Sequence, residues 1–290
     1  MAELVAELGE DADTLVGRVR PTVTSPEAVA VLAATGRPWR VHVKVDTGMH
    51  RVGVAPGAAA GLVELIDAAT PLEAEGVWTH FAVADEPDDA FTDEQLRRFR
   101  HVLEVLTPRP RPLLVHLANS AATLTRPDTH ADLVRCGIAL YGVPPAPALT
   151  GAAPLRPALR LVARVREVRT VEAGETVSYG RRWRAHTGAR VATIPVGYAD
   201  GLRRSSSLHG VEVLVRGRRR PLVGAVTMDQ AMVAVDDEVA VGDEVVLIGR
   251  QGDETITATE VATRLGTIAY EVLTDLGPRL PRVVTSGGRP

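Results

Sequence analysis

The sequence predicts an α/β domain followed by an all-β domain, and three observations carry that reading. Over residues 1 to 141, apolar strand-like runs alternate with stretches of helical periodicity; between residues 144 and 157 prolines and alanines cluster; beyond them, short β-rich runs are separated by glycines. Nearly continuous apolar strands that alternate with helices belong to parallel sheets with helices outside. Short strands punctuated by glycine turns belong to antiparallel β domains. The boundary falls in the Pro/Ala-rich stretch, which reads as an interdomain linker and gives domains 1–148 and 149–290.

The elements follow in order. Residues 1 to 16 carry Leu4, Val5 and Leu8 at helical spacing, and residues 19 to 24 form a short strand closed by Ser25-Pro26-Glu27, a helix start that runs to about Ala34. Val41, Val43 and Val45 alternate with His42 and Lys44 and run into Asp46-Thr47-Gly48, a strand ending in a turn. A helix is expected over 58 to 69, a strand over 77 to 82, a helix over 93 to 106, a strand over 113 to 118, a helical turn after Asn119-Ser120, and a last strand over 133 to 141. About five strands are thus visible, fewer than an eight-stranded barrel needs. In the second domain, strands are expected over 162–171, 189–195, 211–216, 222–226, 232–235 and 244–248, with one helix over 259–265. The basic run Arg216 to Arg220 reads as a solvated hairpin turn.

Composition narrows the function class. The 290 residues hold 45% hydrophobic and 24% charged residues, ordinary for a soluble globular chain. A net charge of −3, with 33 basic residues interspersed among 36 acids, offers no field for nucleic acid. Cys136 is alone, so neither a disulfide framework nor a thiolate metal site can be built within one chain. No run of about 18 apolar residues argues for a membrane span. Residues 1 to 10 lack signal-peptide features, and the expected compartment is the cytoplasm.

Lys44 is the single lysine of the sequence. Asp46, Thr47, Met49, His50 and Arg51 follow it at the C-terminal mouth of its strand, where βα-repeat proteins concentrate ligand groups. The simpler reading of Lys44 is a solvent-facing side chain on an edge strand.

Eight short motifs carry a resemblance. They are Lys44-Val-Asp-Thr-Gly-Met-His-Arg51, Thr79-His80-Phe81-Ala82, His116-Leu-Ala-Asn119-Ser120, Arg135-Cys-Gly137-Ile138-Ala-Leu-Tyr141-Gly, Val177-Ser-Tyr179-Gly, Gly197-Tyr198-Ala-Asp-Gly, Thr227-Met228-Asp229-Gln230 and Ile268-Ala-Tyr270-Glu. Together, and in this order, they resemble the alanine racemase family over essentially the whole chain. The resemblance implies a pyridoxal 5'-phosphate (PLP) (β/α)8 TIM-type barrel joined to a C-terminal β domain, a homodimer with composite active sites, and interconversion of L- and D-alanine for peptidoglycan synthesis.

Racemisation needs a proton to leave one face of the α-carbon and return on the other, so two bases are required. The resemblance implies that Tyr179 is the L-face base, contributed to the partner's barrel, and that a lysine in the first barrel strand binds PLP and serves the D face. It implies Arg51 at the PLP ring hydroxyl and near the substrate, Met228 at the substrate carboxylate, and Tyr198 and Asp229 at the entrance. Arg135 would face the pyridine nitrogen, His80 would orient Arg135, and Asn119 would belong to the cofactor site. Ser120, Gly137, Ile138 and Tyr270 would hold the phosphate. Read alone, Ser120 and Gly137 equally suit a helix cap and a tight turn. Lys44 matches a lysine that carbon dioxide carbamylates in the family, turning a cation into an anion that pairs with Arg51. No lysine precedes Lys44, so the barrel is expected to lack its first strands, with Met1 an internal methionine, and the 290 residues as written are expected to be inactive alone. Two other readings stay open: a catalytically silent protein that binds PLP or dimerises, and a racemase of serine or a broader amino-acid set. A barrel-only PLP carrier is disfavoured by the β domain.

Overall fold

The computed structural model describes residues 11–107 and 109–285. The chain divides into two compact units, one of residues 1–139 with 148–154 and one of residues 140–147 with 155–290.

The first unit is built of βα repeats. Helix α1 (Asp11–Val16) precedes β1 (Thr22–Val23), and the apolar positions Leu4, Val5 and Leu8 of the expected longer helix lie outside the described residues. Helix α2 (Pro26–Ala34) starts as its sequence dictates. The Oγ of extended Ser25 accepts from the Ala28 N–H, and Pro26 fills the first helical position, where no N–H is needed. Then come β2 (Arg40–Lys44), α3 (Ala59–Ala68), β3 (Glu73–Trp78), α4 (Phe91–Leu106), β4 (Leu114–His116) and α5 (Ser120–Thr125). The strands form one parallel sheet in the order β1-β2-β3-β4. Helix α3 buries Ala59, Leu62, Val63 and Ile66, and α4 buries Leu96, Phe99, Val102 and Leu106. Val41, Val43 and Val45 share the resulting core cluster. His42 and Lys44 alternate with these valines yet are also buried, so β2 is covered on both faces.

Three expectations are corrected. The strand placed over 77–82 runs over 73–78: Thr79 still donates its N–H to the His116 carbonyl, but beyond it the Gln95 side chain takes the backbone groups, Nε2 donating to the His80 carbonyl and Oε1 accepting from the Ala82 N–H. Residues 133 to 141 form no strand. Their stretch touches the end of β4 through isolated bonds, Asp132 N–H to the Val115 carbonyl and Arg135 N–H to that of Ala118, and then turns into a 3-10 helix over Ile138–Tyr141. Finally, β2 is an interior strand paired with both β1 and β3, so Lys44 is not on a sheet edge.

The second unit is antiparallel. Strands β5 (Leu161–Arg164), β6 (Glu167–Val171), β7 (Thr176–Val177), β8 (Trp183–Arg184), β9 (Ala189–Ile194), β10 (Glu212–Val215), β11 (Arg218–Val223), β12 (Ala231–Val235), β13 (Glu244–Gln251) and β14 (Glu254–Ile256) precede α6 (Ala258–Leu265) and α7 (Ala269–Thr274). The main sheet has the order β14-β13-β10-β11-β12-β9-β6, with β5 also on β13. The single strand expected over 162–171 is therefore two. At Val165-Arg166 the chain crosses from one side of the sheet to the other, Val165 N–H bonding to the Asp243 carbonyl and Arg166 N–H to that of Thr193. The sheet thus wraps a core that includes Val165, Ile194, Val213, Val233 and Leu247. Arg216 and Gly217, both at positive φ, make the two-residue turn of the β10–β11 hairpin. The basic run around it is less solvated than its composition suggests: Arg219 pairs with Glu212, Glu254 and Glu260, and Arg220 with Asp236.

Candidate active site

Parallel strands bring their C-terminal residues into one row, and here the row is Lys44, Trp78 and His116, paired in register across β2, β3 and β4. Lys44 Nζ lies 4.8 Å from the centroid of the Trp78 ring, and the Trp78 and His116 rings stack at 5.5 Å and 11°. The guanidinium carbon of Arg135 sits 4.6 Å from the centroid of the Trp78 ring. Lys44 is 5% exposed. Burial, then the charges of Arg51 and Arg135, depress its pKa below the ordinary lysine value, with Asp46 opposing. The turn after β2 is an Asx-type loop in which Asp46 Oδ1 accepts from the N–H groups of Gly48 and His50. Arg51 follows in this loop, close enough for its charge to act on Lys44. The loop needs glycine at Gly53, where a Cβ would stand 2.6 Å from the Asp46 nitrogen and φ is 145°.

Arg135 is held without any contact to a carboxylate among the described residues. It donates through Nη2 to the carbonyls of Thr79 (2.8 Å) and Leu117 (3.0 Å) and to His80 Nδ1 (3.2 Å), and through Nη1 to His116 Nδ1 (3.0 Å). A guanidinium only donates, so both imidazoles accept at Nδ1 and are neutral. Burial and the neighbouring cations hold His80 at a pKa of about 4, and burial with Arg135 and His42 holds His116 at about 3. Burial alone lowers Arg135 to about 10, which leaves it charged near neutrality. Gln95 of α4, wholly buried, ties the His80 loop to the Asp46 loop. Its Nε2 donates to Thr47 Oγ1 and the His80 carbonyl while its Oε1 accepts from Ala82.

At the end of β4, Asn119 caps α5 by accepting from the Ala122 N–H, and Ser120 Oγ accepts from the N–H groups of Gly137 and Ala139. The Arg135–Ile138 segment is thereby fastened beside the strand ends. A Cβ on Gly137 would meet only Ser120 Oγ, at 4.0 Å, so that side of the backbone is open. Lys44, Arg51, His80, Asn119, Ser120, Arg135, Gly137 and Ile138 are thus all carried by the first unit, at the end of β2, at the start of α5 or on the segments that follow β2, β3 and β4.

The remaining candidates belong to the second unit. Tyr179 stands at the tip of the β7–β8 hairpin, 71% exposed, next to Ser178 at φ 63° and Arg181 at φ 50°. Ser178 is held in that unfavourable geometry by its Oγ bond to the Ala225 carbonyl. Met228, Tyr198 and Tyr270 are also exposed. Tyr198 and Met228 are neighbours through the backbone: Tyr198 N–H donates to the Thr227 carbonyl and Ala199 N–H to that of Met228, an approach that requires Gly197. Asp229 pairs with Arg279, which also reaches Asp200.

Four residues of the first unit's network, Trp78, His42, Glu75 and Gln95, carry no motif in the sequence that marks them as part of a site. The alternation that places His42 on the same strand face as Lys44 was the available signal for one of them. The others depend on register between strands and helices far apart in the chain.

The charge balance of the first-unit site suits an anionic ligand. Three cationic side chains, Lys44, Arg51 and Arg135, share it with Asp46, whose carboxylate already accepts two backbone N–H groups. A phosphorylated aromatic ring fits this donor-rich set beside the open backbone at Gly137.

The profile described as "Alanine racemase, N-terminal domain" matches residues 4–145, and that described as "Alanine racemase, C-terminal domain" matches residues 158–284. An alanine racemase of Symbiobacterium thermophilum is 48% identical over 250 residues, covering 85% of this chain and 66% of that protein. One of Chlorobaculum tepidum is 44% identical, covering 90% and 68%. The chain therefore spans about two thirds of the length of these curated relatives. Among solved structures, the alanine racemase of Bacillus anthracis with bound L-Ala-P aligns at a TM-score of 0.85 and 41% identity, covering 92% of this chain and 71% of the other. A histidine racemase of Leuconostoc mesenteroides aligns at 0.85 and 31%, covering 95% and 75%.

Proposed function

The chain belongs to the alanine racemase family, and from that premise we propose that it is a PLP-dependent isomerase interconverting L- and D-alanine, acting in the cytoplasm to supply D-alanine for peptidoglycan. The observation that carries this reading is Arg135: a partly buried guanidinium at the strand ends, bonded only to neutral acceptors, in a site with an excess of positive charge. Bound PLP supplies the electron sink that makes the α-proton of an amino acid removable.

The chain's own residues do the rest. Arg135 would present donors to the pyridine nitrogen of the bound group and, with no proton to yield near neutrality, would keep that nitrogen from being protonated. His80 holds Arg135 from one side by accepting at Nδ1. Arg51 donates to the ring hydroxyl and approaches the substrate. Asn119 belongs to the cofactor pocket, and Ser120, Gly137, Ile138 and Tyr270 hold the phosphate. A carbamylated Lys44 supplies an anion that pairs with Arg51. In the partner's site, Tyr179 takes or returns the proton on the L face, Met228 donates its backbone N–H to the substrate carboxylate, and Tyr198 and Asp229 line the approach. These cross-chain roles make the working unit a homodimer with composite sites. Alanine is favoured as substrate by the relatives, and serine or a broader set remains within the same chemistry.

The D-face lysine that the resemblance implies has no counterpart in this sequence, whose single lysine, Lys44, takes the carbamylated position. That observation favours a second reading, a PLP-binding or dimerising protein without turnover. Exchange of the α-hydrogen in deuterated solvent separates the two. With PLP added, a racemase exchanges the α-hydrogen of both alanine enantiomers, and Tyr179→Phe abolishes exchange from L-alanine while PLP binding persists. L-alanine exchange at the parent rate in Tyr179→Phe would exclude Tyr179 as the base; no exchange from either enantiomer by the parent would leave the second reading.

A further inference from the structure

A hydrogen-bonded chain leads away from the site through the interior of the sheet. His116, which accepts from Arg135 at Nδ1, is 2.8 Å from His42 Nδ1 through its Nε2; His42 Nε2 is 3.2 Å from Glu75 Oε2. Glu75 in turn is paired with Arg20 and with Arg40. Both ends of the chain dictate the direction of every bond within it. Arg135 can only donate, so neutral His116 carries its proton on Nε2 and donates to His42 Nδ1; neutral His42 then carries its proton on Nε2 and donates to the carboxylate. A doubly protonated His42 would set two donors against each other at 2.8 Å.

The strands are shaped for this path. The two imidazoles cross β3 at Gly76, where a Cβ would lie 2.9 Å from the His42 ring and 2.9 Å from the Leu114 carbonyl oxygen. Both rings are buried. The nearest carboxylate on this path from the Arg135 guanidinium is therefore two imidazoles away, and each imidazole turns its lone pair towards the cation and its N–H towards the anion.

We propose that His42 and Glu75 are positioning residues for Arg135: Glu75 fixes the tautomer of His42, His42 that of His116, and His116 can then only accept, which holds the guanidinium with its free donor edge towards the site. The consequence for a cofactor's ring nitrogen rests on the reading of Arg135 given above. His42 and Glu75 touch no reacting atom; they act through Arg135.

Two measurements test it. In histidine-labelled protein without ligand, 15N resonances give both tautomers directly, and a scalar coupling across the His116 Nε2–H···His42 Nδ1 bond identifies donor and acceptor. The expected result is one tautomer for each ring, protonated at Nε2, with that coupling present. The opposite tautomer at either ring, or rapid averaging between tautomers, overturns the proposal before any variant is made. In the full chain, Glu75→Ala is expected to weaken PLP binding by about tenfold, roughly the loss of one charge-assisted interaction, and to broaden the Arg135 guanidinium resonances. Glu75→Gln, which retains an acceptor, recovers most of both. An analogue with carbon in place of the ring nitrogen should bind parent and variant alike. Parent-like PLP affinity and Arg135 resonances in Glu75→Ala overturn the proposal; should that variant fail to fold, His42→Leu cuts the same path one residue further in. Equal loss of PLP and analogue would instead overturn the placement of Arg135 at the ring nitrogen, leaving the histidine result to stand by itself.

Discussion

Lys44 concentrates the physical problem of this molecule in one side chain. A buried ammonium beside two arginines has two escapes, losing its proton or becoming an anion, and its depressed pKa exposes the free amine that carbon dioxide attacks. Native mass spectra in bicarbonate should show the mass of one carbon dioxide on the peptide that contains Lys44; a persistently free amine in the folded protein would sink that assignment. The histidines give a second test. His80 and His116, with pKa values of about 4 and about 3 against an ordinary 6.5, resist protonation in the fold but not in the unfolded chain. The unfolded chain therefore binds more protons, and stability falls as pH drops below 6.5, continuing until the folded values are passed. At pH 5 the loss is about 2 kcal/mol per histidine. Urea midpoints should drop accordingly between pH 7 and pH 5, and the slope should flatten in His80→Gln.

Among the elements, helices were the most legible. The 58–69 and 93–106 helices appear with ends shifted by one or two residues, because their apolar faces repeat at helical spacing. Strand ends were less so: Phe81 and Ala82 read as strand because they are apolar, yet Gln95, fourteen residues further along the chain than Phe81, claims the backbone that a ladder would need. The 133–141 stretch reads as strand for the same reason and is diverted at its start by Asp132, whose side chain takes the Val115 N–H. In the second unit the short hairpin that carries Tyr179, the strand β14 and the helix α7 are too brief for any periodicity to declare them. The site residues themselves were legible only as motifs in order, and the network behind them depends on strand register. That register can be tested at β3. Gly76→Ala places a methyl group against the His42 ring and a backbone oxygen, and should cost roughly 1–3 kcal/mol in urea unfolding; an unchanged midpoint would mean that the rings do not cross there.

At the scale of the whole molecule, the candidate residues fall into two sets. One lies at the strand ends of the first unit and the other on the surface of the second, with Tyr179 71% and Met228 53% exposed. No helix among the described residues is long and apolar enough to cross a membrane. If the two sets meet across a two-fold axis, a variant lacking one set can be rescued by a variant lacking the other. Mixing Arg135→Ala with Tyr179→Phe under dissociating conditions and reassociating them should restore about a quarter of the parent's α-hydrogen exchange, since half of randomly paired dimers are mixed and each holds one intact site. No recovery, with both variants dimeric by sedimentation, would place both sets in one chain.

The indole of Trp78 lies close to the Lys44 ammonium and the Arg135 guanidinium and stacks on a neutral imidazole. An excited indole shifts electron density across its fused rings, so the colour of its emission depends on the field along them. Turning Lys44 from cation to anion reverses one of the two nearest sources of that field. Emission from Trp78 should therefore shift with the chemical state of the single lysine, read against Trp39 in the core of the first unit and Trp183 on β8.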